Sequence, residues 1–368
     1  MPSLDTGGAE RTTIDIAAAL VDAGYAALVA TQGGRMVPEL RAAGGEWIAL
    51  PMASKSPLAM MANIRALRHI IRTRNVKLVH ARSRAPAWSG LRAARQAGIP
   101  FITTYHGIYN ASNPLKRTYN SVMVRGDAVI ANSQWTADHI AREYAISPNR
   151  ITVIPRGVDL KQFDPASVAP ERIAKLRAQW GVKESDLVIL LPGRLTRWKG
   201  QMVLIEALAK LNLQNVRAIL AGDTQGRDAY ESELRSAIAA AGLNDSVFIA
   251  GHVGDMAAAY FAADIVVSAS TDPEAFGRIA AEAGAMGRAV IATDHGGARE
   301  TILPGASGAL TAPGDADALA RALERMITLG ADGRAAMGAA ARAHISRNFT
   351  RERMCADTLA LYRTLIAD

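Results

Sequence analysis

A single cysteine, Cys355, leaves the 368-residue chain without the material for a disulfide framework or a cysteine-based zinc site. No uninterrupted apolar run approaches the roughly 20 residues needed to span a bilayer. The first residues, Met1-Pro-Ser-Leu-Asp-Thr-Gly-Gly, lack a basic head followed by an apolar stretch, so no secretory leader is expected there. A reducing, cytoplasmic setting is the default expectation. Aromatics are scarce at 5%, and none interleaves with the arginines as a base-stacking surface requires. Acidic residues are missing altogether between Glu46 and Asp127, a stretch that holds 13 Lys and Arg.

What is present has a globular balance: 49% apolar and 21% charged residues, in a length that predicts about two domains. Residues 1–160 carry 19 Lys and Arg against 10 Asp and Glu, and the remainder 23 against 24, so the whole excess of +8 lies in the first half. Such a one-sided field attracts polyanions: lipid headgroups, phosphorylated glycolipids or nucleic acid. Within it, residues 58–74 place Met60, Met61, Ile64, Leu67, Ile70 and Ile71 at helical spacing, with Arg65, Arg68 and Arg72 on another face. A helix of this kind either packs its apolar stripe on a sheet with solvated arginines or lies on an anionic membrane.

Short β-rich runs alternate with helical patterns throughout. In the first half they are Ala27–Thr31, Trp47–Leu50, Lys77–Ala81, Phe101–Tyr105, Ala128–Ala131 and Ile151–Ile154. The second half restarts at Leu187–Leu191 and continues through Arg217–Ala221, Val247–Ile249, Ile265–Ser268 and Ala289–Ala292. This alternation predicts an α/β chain of two doubly wound domains, 1–160 and 161–350, with ligands at the carboxyl ends of the sheets. The glycine turn Gly7-Gly8 comes after only six residues, whereas a doubly wound domain begins with its central strand. Either that first strand is missing or truncated, or the six residues form a stub.

Two segments have the composition of a site. Gly193-Arg-Leu-Thr-Arg-Trp-Lys-Gly200 follows an apolar strand and opens a helix, where backbone N–H groups, Arg194 and Lys199 suit a diphosphate. Solvated basic loops are also common, and the segment alone leaves both readings open. Glu274-Ala-Phe-Gly-Arg-Ile-Ala-Ala-Glu282 sets two carboxylates about two helical turns apart, enough for two polyol groups of one elongated ligand. Its plainer reading is an acidic helix start with one surface Glu. Asp315-Ala-Asp317 matches a metal-binding D-x-D, but it follows Pro313-Gly314 and precedes a helix, so it reads as an N-cap and no metal is expected. Trp198 is read as shielding its loop, and Cys355 as packing.

Glu274/Glu282 with Phe276 and Gly277 resembles the E-x7-E motif of GT4-type retaining glycosyltransferases. Six further segments follow in that family's order. They are Gly7-Gly8-Ala9-Glu10, Thr104-Tyr-His106-Gly107, Asn132-Ser133, Pro155-Arg-Gly-Val-Asp159, Gly193–Gly200 and Asp294-His-Gly-Gly-Ala-Arg-Glu300. The resemblance covers nearly the whole chain. It implies the GT-B fold, two Rossmann-like domains facing a central cleft, with the last helix, about Arg351–Ile366, returning to the first domain so that 351–368 belongs with it. It implies a nucleotide-diphosphate sugar, UDP- or GDP-linked, as donor substrate rather than any cofactor. Glu282 would bind the ribose hydroxyls and Glu274 those of the transferred sugar. Arg194 and Lys199 would clamp the diphosphate. Backbone around Phe276, Gly277, Arg278 and Ile279 would hold sugar or distal phosphate, with Gly7 and Gly8 approaching from the other domain. His106 would position the sugar, and His252 and Val253 would border the base. The expected reaction is retaining, metal-independent hexosyl transfer to a phosphorylated glycolipid such as lipopolysaccharide core. The expected location is the cytoplasm, peripheral on the anionic inner membrane. A soluble transferase making a small glycoside or polysaccharide is the alternative within enzymes. A basic nucleic-acid-binding protein is the alternative outside them, and no RNA-binding signature supports it.

Overall fold

The computed structural model describes residues 1–5, 7–109, 111–211 and 215–367. The chain forms two compact units, Met1–Gly157 with Arg351–Asp368, and Val158–Thr350.

Among the described residues there are twelve strands. In the first unit they are β1 (Leu28–Thr31), β2 (Glu46–Ala49), β3 (Val79–Ala81), β4 (Phe101–Tyr105), β5 (Ala128–Ala131) and β6 (Ile151–Val153). In the second they are β7 (Leu187–Pro192), β8 (Val216–Ala221), β9 (Val247–Gly251), β10 (Ile265–Ser268), β11 (Ala289–Thr293) and β12 (Gly308–Thr311). All pairings between them are parallel. The central strands β4, β5, β10 and β11 are buried along their whole length. Burial at every position is what a sheet covered on both faces imposes.

The second unit is one six-stranded sheet in the order β12-β11-β10-β7-β8-β9. The chain starts at β7, builds outward through β8 and β9, then returns to place β10 on the other side of β7. The β7–β10 boundary is therefore the topological switch point, where doubly wound sheets open a crevice at their carboxyl ends. One apolar cluster contains Val188, Leu190, Val266 and Val290, and a second contains Ile189, Leu191, Val267 and Ile291. Alternate residues of the same strands thus point to opposite faces, each covered by helices.

The first unit departs from that plan. Its strands form two separate sheets, β1-β2 and β3-β4-β5-β6. Residues Met1–Leu4 are no strand but run beside the end of β1: Leu4 N–H donates to the Gly33 carbonyl and Gln32 N–H to the Pro2 carbonyl. The last helix, Arg351–Ala367, joins this unit and packs Met354, Leu359 and Tyr362 with Ile16, Ile102 and Ile130. Cys355 lies in the same cluster, and burial pushes its thiol up to about 12, which makes it an inert packing residue.

Several helices start on the signals that sequence provides. Ser133 Oγ accepts from Thr136 N–H at the start of Gln134–Tyr144. Asp315 accepts from Ala318 N–H at the start of Ala316–Thr328, so this aspartate is an N-cap.

Three bases in the first unit are held neutral. Burial, then the Arg82 guanidinium, lowers the Met1 amine from 8.0 to about 5. Burial, then Arg82 and the Met1 amine, holds His80 well below its ordinary value; burial, then Arg82 and Arg156, does the same to His106. A base with a lowered folded-state pKa takes its proton first in the unfolded chain. Its contribution is complete above the unfolded pKa and is lost as the pH falls toward the folded one. The urea midpoint is therefore expected to drop steadily between pH 8 and pH 5.5, and a flat or rising midpoint would contradict this burial.

Candidate active site at the sheet switch point

The two loops leaving β7 and β10 carry the site of the second unit. Gly193–Gly200 follows β7 and leads into the helix Gln201–Ala209. Ala269–Gly277 follows β10 and leads into the helix Arg278–Ala285. They are tied together by Thr271 N–H donating to the Trp198 carbonyl at 2.7 Å. Gly200 has φ 74°, and a Cβ there would stand 1.9 Å from the Ala269 carbonyl oxygen. Only glycine permits this approach of the two loops.

Across the switch point Lys199 Nζ donates to Glu274 Oε1 at 2.5 Å. Ser270 Oγ donates to the same oxygen at 2.5 Å. Both charged side chains are largely buried, 12% and 15% exposed. Burial alone would push the Glu274 carboxyl up; the Lys199 charge and the two hydrogen bonds outweigh it and hold the group below its ordinary value. Trp198 lies 4.3 Å beneath the Lys199 ammonium, a cation–π contact that further confines it. Arg194 is exposed on the same loop, with a guanidinium nitrogen 3.4 Å from Gln225 Oε1.

The helix after Gly277 begins at Arg278. Gly277 takes φ 82°, a left-handed conformation that ends the loop and turns the N–H groups of the following residues outward. Phe276 is buried and packs its ring against Phe349, so only its backbone faces the loop. Ile279 is buried in the same cluster. Glu282 is buried and held from two sides: Tyr260 donates to Oε2 at 2.9 Å, and Arg278 donates from Nε to Oε1 at 3.0 Å. Burial, then Glu282, drives the Tyr260 hydroxyl well above its ordinary value, so it stays protonated and remains a donor.

The loop after β11 backs the Glu274 segment. Gly297 N–H donates to the Glu274 carbonyl at 2.8 Å, and a Cβ on Gly296 would stand 2.2 Å from that oxygen. His295 precedes this pair with both ring nitrogens buried and unpartnered in the structure. His252 and Val253 line a separate cavity of about 510 Å³ with Arg172, Trp180 and Phe248.

In the first unit, His106 follows β4. Arg156 Nη2 lies 3.0 Å from His106 Nδ1 and donates to the His106 carbonyl at 3.1 Å. An arginine only donates, so Nδ1 is the acceptor and the ring proton is on Nε2. That Nε2 is buried without a hydrogen-bond partner among the described residues. Gly7, with φ 144°, is the N-cap of the helix Gly8–Asp22. Arg156, Tyr260, Ser270 and His295 were not legible as site residues. Arg156 sits in what reads as a turn-rich linker, 50 residues from His106, and Tyr260 and Ser270 gain significance only from Glu282 and Glu274, 22 and 4 residues away.

Residues 6–162 match the family model described as Glycosyltransferase Family 4, and residues 172–344 match Glycosyl transferases group 1. The D-inositol 3-phosphate glycosyltransferase of Xylanimonas cellulosilytica is 33% identical over 301 residues, 77% of this chain and 71% of that protein. A glycosyltransferase from Rickettsia africae has a similar structure, with TM-score 0.92 and 36% identity, covering 98% of this chain and 96% of that one. Anabaena HepE, solved in complex with UDP and glucose, has TM-score 0.85 and 28% identity, covering 99% and 98%. The curated relatives are thus named for inositol phosphate, whereas the sequence resemblance pointed toward lipopolysaccharide core. With both family models in register, and two Rossmann-like units carrying the motif residues, the chain belongs to the GT4-type, group 1 glycosyltransferases of GT-B fold.

Proposed function

We propose that the protein is a retaining hexosyltransferase that moves a hexose from a UDP-linked donor to a phosphorylated acceptor on a glycolipid at an anionic membrane surface. The observation that carries the donor half is the Lys199–Glu274 pair, which closes the switch point of a nucleotide-binding sheet with a cation and a sugar-binding carboxylate side by side. HepE, the neighbour solved with UDP and glucose, supports uracil as the base.

In this reading Glu282, oriented by Tyr260 and Arg278, accepts from the ribose hydroxyls. The donor diphosphate displaces Lys199 partly from Glu274, and Arg194 swings from Gln225 to the same phosphates. Glu274 and the backbone N–H groups after Gly277 then hold the hexose. Cleavage of the anomeric C–O bond leaves negative charge on the diphosphate. Lys199, Arg194 and the helix N-terminus stabilise it without a metal. The leaving phosphate oxygen takes the acceptor's proton on the face it departs from, which retains configuration and needs no enzymatic nucleophile. His106, with its ring proton on Nε2 because Nδ1 faces Arg156, offers one hydrogen-bond donor after β4 of the first unit.

The membrane half rests on the helix Pro57–Thr73. Leu58 and Met61 are 80% and 50% exposed, and Arg65, Arg68 and Arg72 are exposed at the following helical spacings. These five share one face. Met61 therefore leaves the apolar stripe in which the sequence pattern places it and joins the arginines. Apolar side chains among arginines fit an anionic interface better than a solvated face. Among the described residues no helix is long and apolar enough to cross a membrane. A second reading, transfer to a small phosphorylated polyol, is favoured by the likeness to D-inositol 3-phosphate glycosyltransferases.

The test is transfer from UDP-glucose, with GDP-mannose as comparison, to a phosphorylated glycolipid in phosphatidylglycerol vesicles and to inositol phosphate in solution. Turnover in EDTA, retained anomeric configuration and vesicle binding lost in Leu58→Asp/Met61→Asp are expected. Turnover on inositol phosphate alone, with no vesicle binding, would replace the membrane reading with the second one.

A further inference from the structure

Glu274 Oε1 is already taken twice: Lys199 Nζ and Ser270 Oγ each donate to it at 2.5 Å. The Trp198 ring, 4.3 Å away, holds the ammonium in this place. The lysine stem lies over Gly193, where a Cβ would stand 3.4 Å from Lys199 Cδ. Burial pushes the Glu274 carboxyl up, and the Lys199 charge, the two hydrogen bonds and the nearby His295 ring more than offset it, so the group is an ionised carboxylate. Its counter-ion is the ammonium. A carboxylate only accepts, and two adjacent sugar hydroxyls need both of its oxygens. A free hexose must therefore displace a largely buried ammonium with neutral hydroxyls, which leaves the Lys199 charge without a counter-ion.

We propose that Lys199 is a specificity gate as well as a phosphate ligand: it closes Glu274 to hexoses that bring no diphosphate and opens it when a diphosphate takes the ammonium. This rests on the reading of Lys199 as the diphosphate cation and Glu274 as the hexose carboxylate. It adds that the two halves of the donor bind cooperatively through one ion pair.

Charge explains what a diphosphate does that a hexose cannot. The diphosphate replaces Glu274 as the counter-ion of Lys199, and Arg194, exposed on the same loop, supplies a second cation. Glu274 then keeps Ser270 on Oε1 and becomes an unpaired carboxylate, whose hydrogen bonds to hydroxyls are about twice as strong as those between neutral groups. Each half alone strands one charge: the diphosphate strands Glu274, and the hexose strands Lys199. The intact nucleotide sugar strands neither.

The backbone leaves the lysine side chain as the moving part. The Glu274 carbonyl accepts from Gly297 N–H at 2.8 Å, and Thr271 N–H donates to the Trp198 carbonyl at 2.7 Å, so the loops after β7, β10 and β11 are tied to one another. Close approach at Gly200 locks the first two together. Lysine, a point charge on a flexible four-carbon stem, can change partners within this frame without a loop movement.

The experiment measures binding of glucose, galactose and mannose to the full chain, alone and with saturating UDP, by calorimetry. At least one hexose is expected to bind at least about tenfold more tightly with UDP present, and to tighten UDP by the same factor, since coupling between two sites is reciprocal. Inorganic pyrophosphate is expected to reproduce the effect and uridine is not, which separates the diphosphate charge from contacts to the base. In Lys199→Met the same hexose is expected to bind equally, within about twofold, with and without saturating UDP. UDP binding that changes no hexose affinity would overturn the gate and leave the nucleotide site standing. Coupling that persists in Lys199→Met, or that uridine alone produces, would also overturn it. Absence of UDP binding would overturn the donor reading and the gate together. The pyrophosphate and uridine arms use the unaltered chain, so they decide the question even if Lys199→Met does not fold.

Discussion

A Lys199→Met enzyme is expected to lose about 10²–10³-fold in kcat, the cost of removing one preorganised stabiliser of developing negative charge. It is also expected to lose about 3 kcal/mol of stability, because breaking a buried pair strands the other charge. The stranded group is Glu274, whose carboxylate Lys199 meets at 2.5 Å with both side chains largely buried. Methionine keeps the length of the side chain and its contact with Trp198, so packing changes least. A second variant separates the two effects. Lys199→Met/Glu274→Leu replaces the pair by apolar groups and should recover most of the lost stability, since buried pairs exchange for packed apolar residues at little cost. It should recover none of the activity. Urea unfolding and steady-state transfer measured on both variants check this, and an active double variant would remove the pair from the chemistry.

Glu274→Gln is expected to lose stability too, by less than Lys199→Met because its amide oxygen still accepts from the buried Lys199, and to lose about 10²-fold in kcat. The amide keeps the shape and one acceptor for Lys199 and Ser270, which both donate to Oε1. What it loses is the charge and one acceptor for the sugar hydroxyls. Misplacing a reacting sugar by about 1 Å costs about 10²-fold. Since the Glu274 backbone is fixed by Gly297 and crowded by Gly296, the loop cannot shift to compensate. A loss in KM alone, with kcat unchanged, would mean that Glu274 binds sugar and transition state equally.

The parallel sheets were readable because their strands are doubly buried. Phe101–Tyr105, Ala128–Ala131 and Ile265–Ser268 are short β-rich runs, and they form β4, β5 and β10 as predicted. β12 was not readable: Gly-Ala-Leu-Thr has little β-branched character, and it becomes a strand by pairing Gly308–Thr311 with Val290–Thr293. The helix Pro170–Gln179 was missed although Pro170 and Glu171 are start signals. The loops of the candidate site were legible from motif and placement. Their internal wiring was not, because it depends on distant partners: Tyr260 on Glu282, Arg156 on His106, Lys199 on Glu274. Sequence spacing also cannot tell which apolar residues of an amphipathic helix stay outside. Met61 repeats with the core residues of Pro57–Thr73, yet its position on the helix wheel lies with Arg65 and Arg68. The place of Gly7-Gly8 raised the question of what the six residues before it form, and only the pairing shows that β1 and β3 lie in separate sheets among the described residues.

Calorimetric titration of UDP into the unaltered chain, Lys199→Met and Glu282→Ala is the most direct measurement of the central assignment, a nucleotide diphosphate seated on the β7 and β10 loops. Saturable binding that weakens by at least tenfold in each variant is predicted. UDP affinity unchanged by both substitutions would place the nucleotide elsewhere on the molecule and contradict the site.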